Sequence, residues 1–261
     1  MLGAIKSELI RLKRPSFLVG GIGLMAVFGA LATFIAFSGA GQTGAGPAAL
    51  FPSEAALVAS NGFVSGLGLG SQLMGIVALS LWAIAVASDY QTGLIRLLVQ
   101  AEPNRGKLLV GKIAALLALT LVGTLLATLS AAGVAHLLAS TFGISTSAWG
   151  TDTLTTLLEA YRNLSLSTIA WGVIGFTIAT ASRSAGVSIA AGIGWIVVFE
   201  VMLQGVASDI ADKMPGATLA ALAAGGTANT EFGTALALAG LYTLVGVVIA
   251  GVITYRREIT Y

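Results

Sequence analysis

Glu200 is the one acidic residue inside a long apolar stretch of this chain, and His136 is its only histidine. A charge at the middle of a membrane costs about 2.5–3.5 kcal/mol on insertion scales. Glu200 therefore calls for a polar partner, a wet cavity or a neutral carboxyl. His136 is a candidate partner, because both residues lie toward the same end of their apolar stretches. Two roles fit Glu200: a place in a translocation pathway, or a hydrogen bond between helices. Enzymatic chemistry finds little to work with. Gly62-Phe63-Val64-Ser65-Gly66 has one residue more than the Gly-x-Ser-Gly of an intramembrane serine protease, and His136 is remote from it in any simple layout. Gly106-Lys107 is followed by Leu108 and has Ala101 where a P-loop needs glycine, so no ATPase site is expected. The chain has no cysteine, which excludes disulfides, Fe–S clusters and thiol catalysis, and one histidine leaves almost no room for a metal site. We therefore expect no catalytic residue, metal or cofactor in this chain.

The elements that hold these residues are membrane helices. Of 261 residues, 56% are hydrophobic and 9% charged, against about 25% charged in soluble domains. Mean hydropathy is +0.94. A helix needs about 20 apolar residues to cross the bilayer. Six stretches qualify: about Phe17 to Phe37, Ser65 to Ala87, Leu108 to at least Ala131, Leu164 to Ala181, Ala185 to Val206, and Gly233 to Tyr255. The fourth is diluted by Ser165, Ser167, Thr168, Thr177 and Thr180, hydroxyls that suit a helix buried among others. The first is too long for a signal-peptide core and reads as a retained span. The expected fold is one all-α polytopic domain over 1–261.

Lysines and arginines orient it. With the N-terminus inside, Lys6, Arg11, Lys13, Arg14, Arg96, Arg105, Lys107, Lys112, Arg183, Arg256 and Arg257 are inside, leaving only Arg162 and Lys213 outside. Both termini are then cytoplasmic. The net charge of +2 is too small to imply nucleic acid. In residues 1–15, Leu2, Ile5, Leu9 and Leu12 line one helical face, as in an interfacial amphipathic helix on the inner leaflet. The loop at 38–64 is rich in Gly, Ala and Ser, and 140–162 reads as a loop with a short surface helix. Segment 207–232 holds an apolar run too short to span, as in a re-entrant or interfacial helix dipping in from outside. Gly62, Gly66 and Gly70 recur every four residues, and these, with Gly172, Gly175, Gly192 and Gly194, are read as close helix contacts.

Only one inner loop is substantial, 88–107. Leu94, Ile95, Leu97, Leu98 and Val99 make it apolar, while Asp89, Arg96, Glu102, Arg105 and Lys107 charge it. A short helix with an apolar anchor toward the membrane and a polar end toward the cytosol fits both facts, and Pro103 stops it. This composition favours a docking element over a plain connector.

The run Ser88-Asp89-Tyr90-Gln91-Thr92-Gly93-Leu94-Ile95-Arg96, then Pro103-Asn104-Arg105, then Leu108-Leu109-Val110-Gly111-Lys112 resembles the signature region of type-2 ABC exporter permeases. A common version of that signature has Glu at the position of Asp89 and Thr at that of Leu94. The six spans, the N-terminal amphipathic helix, segment 207–232 and the closing Tyr255-Arg256-Arg257-Glu258 are similar to that family over the whole chain. The resemblance implies half of a membrane dimer in a bacterial inner membrane, paired with an identical or homologous permease. Two copies of a separate ATPase subunit, which carry the ATP and Mg, would dock on the coupling helix between spans two and three. Asp89, Tyr90, Gly93, Arg96, Glu102 and Arg105 are the docking residues it implies. Spans rich in Ala, Gly, Val and Leu suit a hydrophobic or amphipathic cargo such as an antibiotic, peptide or lipid. The alternatives are a carrier driven by an ion gradient and a non-transporting immunity or scaffold subunit. The carrier expects internal repeats and several membrane acids, whereas this chain shows no convincing repeat and one such acid.

Overall fold

The computed structural model describes residues 2–13, 15–41, 51–150 and 152–256, with backbone alone for 2–5 and 16. The Leu2 and Ile5 side chains, the loop around Pro47, and Arg14, Arg257 and Glu258 lie outside the described residues. Every regular element among them is a helix, and six are long and apolar enough to cross a membrane.

A first helix, α1 (Leu2–Leu12), precedes them. The spans are α2 (Leu18–Ser38), α3 (Gly66–Gln91), α5 (Arg105–Ala139), α6 (Thr153–Ser182), α7 (Ala185–Val206) and α9 (Phe232–Arg256). Among the shorter helices between them are α4 (Leu94–Ala101), between α3 and α5, and α8 (Pro215–Ala223), between α7 and α9. The described lysines and arginines other than Arg162 and Lys213 gather at one end, which we call the cationic end.

Local chemistry sets the boundaries. Gly93, at φ +70°, turns the chain from α3 into α4, a conformation that a Cβ disfavours. Asn104 caps α5, its side-chain oxygen accepting from Lys107 N at 3.1 Å. Ser184 caps α7 through Val187 N at 3.3 Å. Pro215 starts α8 at its first turn, where its missing N–H costs nothing. Gly225, at φ +81°, ends α8, and Gly226 N reaches back to Ala221 O at 2.8 Å in a Schellman-type closure.

Helices α3 and α6 form the centre and are the most buried spans, whereas α7 and α9 are the least. Glycines permit the contact. A Cβ on Gly70 would stand 2.6 Å from Ala32 Cβ, one on Gly66 2.5 Å from Thr33 Cα, and one on Gly172 2.6 Å from the Trp82 ring. Gly62, Gly175 and Gly192 are equally closed in by Leu57 and Trp149, the Leu79 backbone and the Leu79 side chain. Gly194 departs from this pattern, with nothing within 4 Å of such a Cβ. The hydroxyls of α6 bridge helices, Ser165 to Thr124 at 2.8 Å, Ser167 to Leu219 O at 2.8 Å and Thr177 to Gly246 O at 3.0 Å. That is why a span diluted by Ser and Thr is still a buried helix.

One boundary differs from expectation, the start of α6 at Thr153 and not near Leu164. Helix α5 runs 35 residues and α6 runs 30, about 52 and 45 Å at 1.5 Å per residue, against about 30 Å of hydrocarbon. Residues 153–162, expected in a loop with a separate surface helix, are the first turns of α6. Hydropathy marks only the part of a helix that lipid covers, and these turns carry Glu159 and Arg162 beyond it.

Candidate functional site

Among the described residues, two places hold buried charge. The first lies at the cationic end, where α1 meets α3 and α5. Glu8 of α1 accepts from Arg11 Nη1 at 2.7 Å and from Lys112 Nζ at 3.0 Å. Asp89, near the end of α3, is bound by Arg11 and by Lys112 Nζ, the latter at 2.7 Å. Two acids thus face two bases, and the group is neutral as a whole. Asp89 is 1% exposed and Glu8 5%. Such a cluster is stable only while complete, because removing one member leaves an uncompensated buried charge.

The helix α4 starts five residues after Asp89. Among the residues expected to dock a partner, Asp89 is turned inward and occupied in this cluster, so its carboxylate is not on the solvated face. Tyr90 is half-buried, with the Arg183 guanidinium 5.5 Å above its ring. Gly93 forms the turn. Arg96 is exposed, beside Leu97 at 62% exposure. Glu102 accepts from Asn104 N at 3.3 Å and meets Lys107 Nζ at 3.5 Å. Arg105 donates to Thr254 O at 3.0 Å, tying the start of α5 to the end of α9. The apolar face of α4 is less anchored than its composition suggests, since no residue of this helix is buried. Lys112 points into the ion cluster with its side chain 12% exposed.

The second place is Glu200. Residues Trp195–Glu200 are wound as a π-helix. With more than four residues per turn, this winding sets positions five apart side by side. The Trp195 indole accordingly donates to Glu200 Oε1 at 2.6 Å. Gly216 N donates to Oε1 at 2.8 Å and Ala217 N to Oε2 at 3.1 Å. These amides belong to the first turn of α8, which has no intrahelical partner for them and carries the positive end of the helix dipole. Glu200 thus caps α8 from another helix. Close by, the Tyr242 hydroxyl donates to Lys213 O, holding α9 to the approach to α8.

His136 is not the partner of Glu200. Its Nδ1 lies 2.8 Å from Ala132 O, and its ring packs on Trp149 and Phe63 with centroids 5.0 and 5.8 Å apart, so it lies beside the Gly62–Gly66 run and not remote from it as expected. Trp149 donates to Leu57 O at 2.9 Å, so His136 belongs to an aromatic cap at the far end of α5. Proximity along the membrane normal is a weak guide to contact, because six helices offer many neighbours at each depth. The signal for the true partner is Met214-Pro215-Gly216, which marks a helix start whose free amides suit an acid. Glu8 and Lys112 were legible only as residues of the right charge.

Among the described residues no group of three or more His, Asp or Glu could hold a metal ion. The chain matches no protein-family model and no curated protein, so its function rests on the chemistry of these two sites.

Proposed function

We propose that this chain is the membrane-spanning permease subunit of an ATP-driven exporter, one half of a dimer moved by a separate ATPase. The observation that carries the reading is α4. It stands at the cationic end with Arg96 and Leu97 exposed, and its flanks are fastened to the spans. On one side is the ion cluster that joins α3, α5 and α1, and on the other the Arg105 bond to α9. A push on α4 is therefore passed to several spans at once, as a coupling helix requires. The positive-inside rule puts this end in the cytosol, where a soluble motor works. Helix α1 then lies along the inner leaflet. Helix α8, nine residues and about 14 Å long, enters from outside as a re-entrant segment. The cargo in this reading is hydrophobic or amphipathic, in keeping with spans of Ala, Gly, Val and Leu.

The competing carrier reading needs a membrane acid free to load an ion. Glu200 already accepts from three donors, which weighs for the motor-driven reading.

The test is purification of the tagged chain in mild detergent with mass spectrometry and an ATPase assay. The expected result is a co-purifying ATPase subunit. Charge reversal, Arg96→Glu or Glu102→Lys, should uncouple ATP hydrolysis from transport while leaving the chain monodisperse. A chain that emerges alone with no nucleotide-dependent activity, or unchanged transport in both variants, would overturn the proposal.

A further inference from the structure

Helix α7 is held differently along its length. Its first half packs on the centre of the bundle, where Ser188 is fully buried and Gly192 lies against the Leu79 side chain. Beyond Glu200 it carries little. Val201, Met202 and Val206 are 64, 68 and 88% exposed, and the bond from Gln204 to Asp212 Oδ1, at 3.3 Å, is exposed too. The change falls at the π-wound turn Trp195–Glu200. A single π turn takes up one extra residue, so every position after it is set back by about 100° from its place on an unbroken α-helix.

The winding and the cap on α8 depend on each other. On an α-helix, positions five apart lie about 140° apart around the axis. Trp195 and Glu200 would then point to different faces, and the 2.6 Å bond between them would not form. Unwinding the turn also carries Glu200 away from Gly216 N and Ala217 N. In return, the amides of α8 fix Glu200 where only the π turn places it. Gly216 is the point of closest approach, because a Cβ there would run into the Glu200 carboxylate.

The glycines beside the turn add an independent observation. Gly194 directly precedes it and has nothing within 4 Å of an added Cβ, so packing does not call for glycine there. The π turn Leu18–Gly23 at the start of α2 contains Gly20 and Gly23, which are equally open. A glycine without such a contact loosens a helix and eases a change of winding at that place.

We propose that the π turn of α7 is a winding switch governed by α8. With α8 seated, Glu200 holds the π form. When α8 withdraws, the turn relaxes to α, and residues 201–206 rotate by about 100° while the half packed on Leu79 stays in place. A displacement of a short helix thus becomes rotation of the end of a span. The switch stands on the contact between α7 and α8 and does not depend on the transport reading.

The experiment places a nitroxide on single cysteines at positions 201–206 of the full chain in bicelles and reads collision with oxygen by EPR. In the wild type, Leu203, half-buried among exposed neighbours, should give the minimum. Gly216→Ala expels the carboxylate from α8 without altering α7. It should move the minimum by one position, to Met202, since each residue then takes the face of the one after it. Deleting Val198 removes the extra residue and leaves Trp195 and Glu200 four apart, still neighbours on an α-helix. This chain should keep the wild-type melting temperature and its minimum at Leu203, and adding Gly216→Ala should no longer move that minimum. Deleting Ala191, which is exposed in the α-wound half, should lower the melting temperature, because no extra residue is there to be taken out. A minimum that stays at Leu203 in Gly216→Ala, or that moves just as far in the chain without Val198, would overturn the switch. Equal destabilisation by the two deletions would overturn it as well, by showing that the turn holds no extra residue.

Discussion

Glu200 shows how a buried acid is made tolerable without a counter-ion. Its oxygens take up an indole N–H and two amides that α8 cannot satisfy itself, so one side chain answers its own need and that of a helix end. Glu200→Gln keeps the shape but presents an NH₂ group to at least one of these donors. It should cost about 1–3 kcal/mol, read as a lower melting temperature in detergent together with a changed Trp195 emission. An unchanged melting temperature would show that the carboxylate does not hold α8. At the other end, Lys112→Met leaves Glu8 and Asp89 facing one arginine. We expect a loss of about 3–5 kcal/mol, and a smaller loss when Asp89→Asn is added, because the surplus negative charge is then removed. Strict additivity of the two changes would argue against a shared cluster. The need for a partner at Glu200 was legible in the sequence, since an acid in an apolar run is costly wherever it lies. The partner was not, because it is backbone, and backbone amides differ only by where helices start. Glu8 and Lys112 are 104 positions apart, and nothing local links them.

At the scale of elements, close approach decides which glycines matter. Gly70 faces α2, where an added methyl meets Ala32 Cβ at 2.6 Å, whereas Gly194 faces open space. Gly70→Ala should cost about 1–3 kcal/mol by overpacking. Gly194→Ala should be neutral or stabilising by about 0.5–1 kcal/mol, since alanine is the better helix former. Thermal unfolding of both variants in one detergent checks the contrast, and equal effects would contradict the packing of α3 on α2. The spans were legible because lipid leaves a chain few alternatives to the helix, and twenty apolar residues are hard to mistake. The start of α6 was not, because its first turns are as polar as a loop. The bend of α7 into a π segment has no signature in Trp195-Ile196-Val197-Val198-Phe199-Glu200 beyond the acid itself.

For the whole molecule the burden of proof falls on orientation. The absence of cysteine makes single-cysteine labelling clean. Thr92 and Ser147 are both exposed, at the cationic end and at the opposite end. In intact cells an impermeant maleimide should label Ser147→Cys and leave Thr92→Cys until the membrane is opened. The reverse pattern would invert the molecule and put α4 out of reach of any cytosolic motor. The apolar faces of α7 and α9 are wide, with Val197, Met202, Leu244 and Val248 all more than half exposed.

The ion cluster that fastens α1 also bears on the order in which the protein is made. Helix α1 leaves the ribosome before its partners, with Asp89 78 positions from Arg11 and Lys112 104 from Glu8. Until then Glu8 and Arg11 have only water and each other, one turn apart on the same helix. The cluster closes only when α3 and α5 have entered the bilayer in opposite directions and brought Asp89 and Lys112 to the same leaflet. A nascent chain in which either span has failed to insert, or has inserted upside down, keeps α1 undocked and its charges in water. The docked α1 is thus a built-in mark of the correct insertion of α3 and α5.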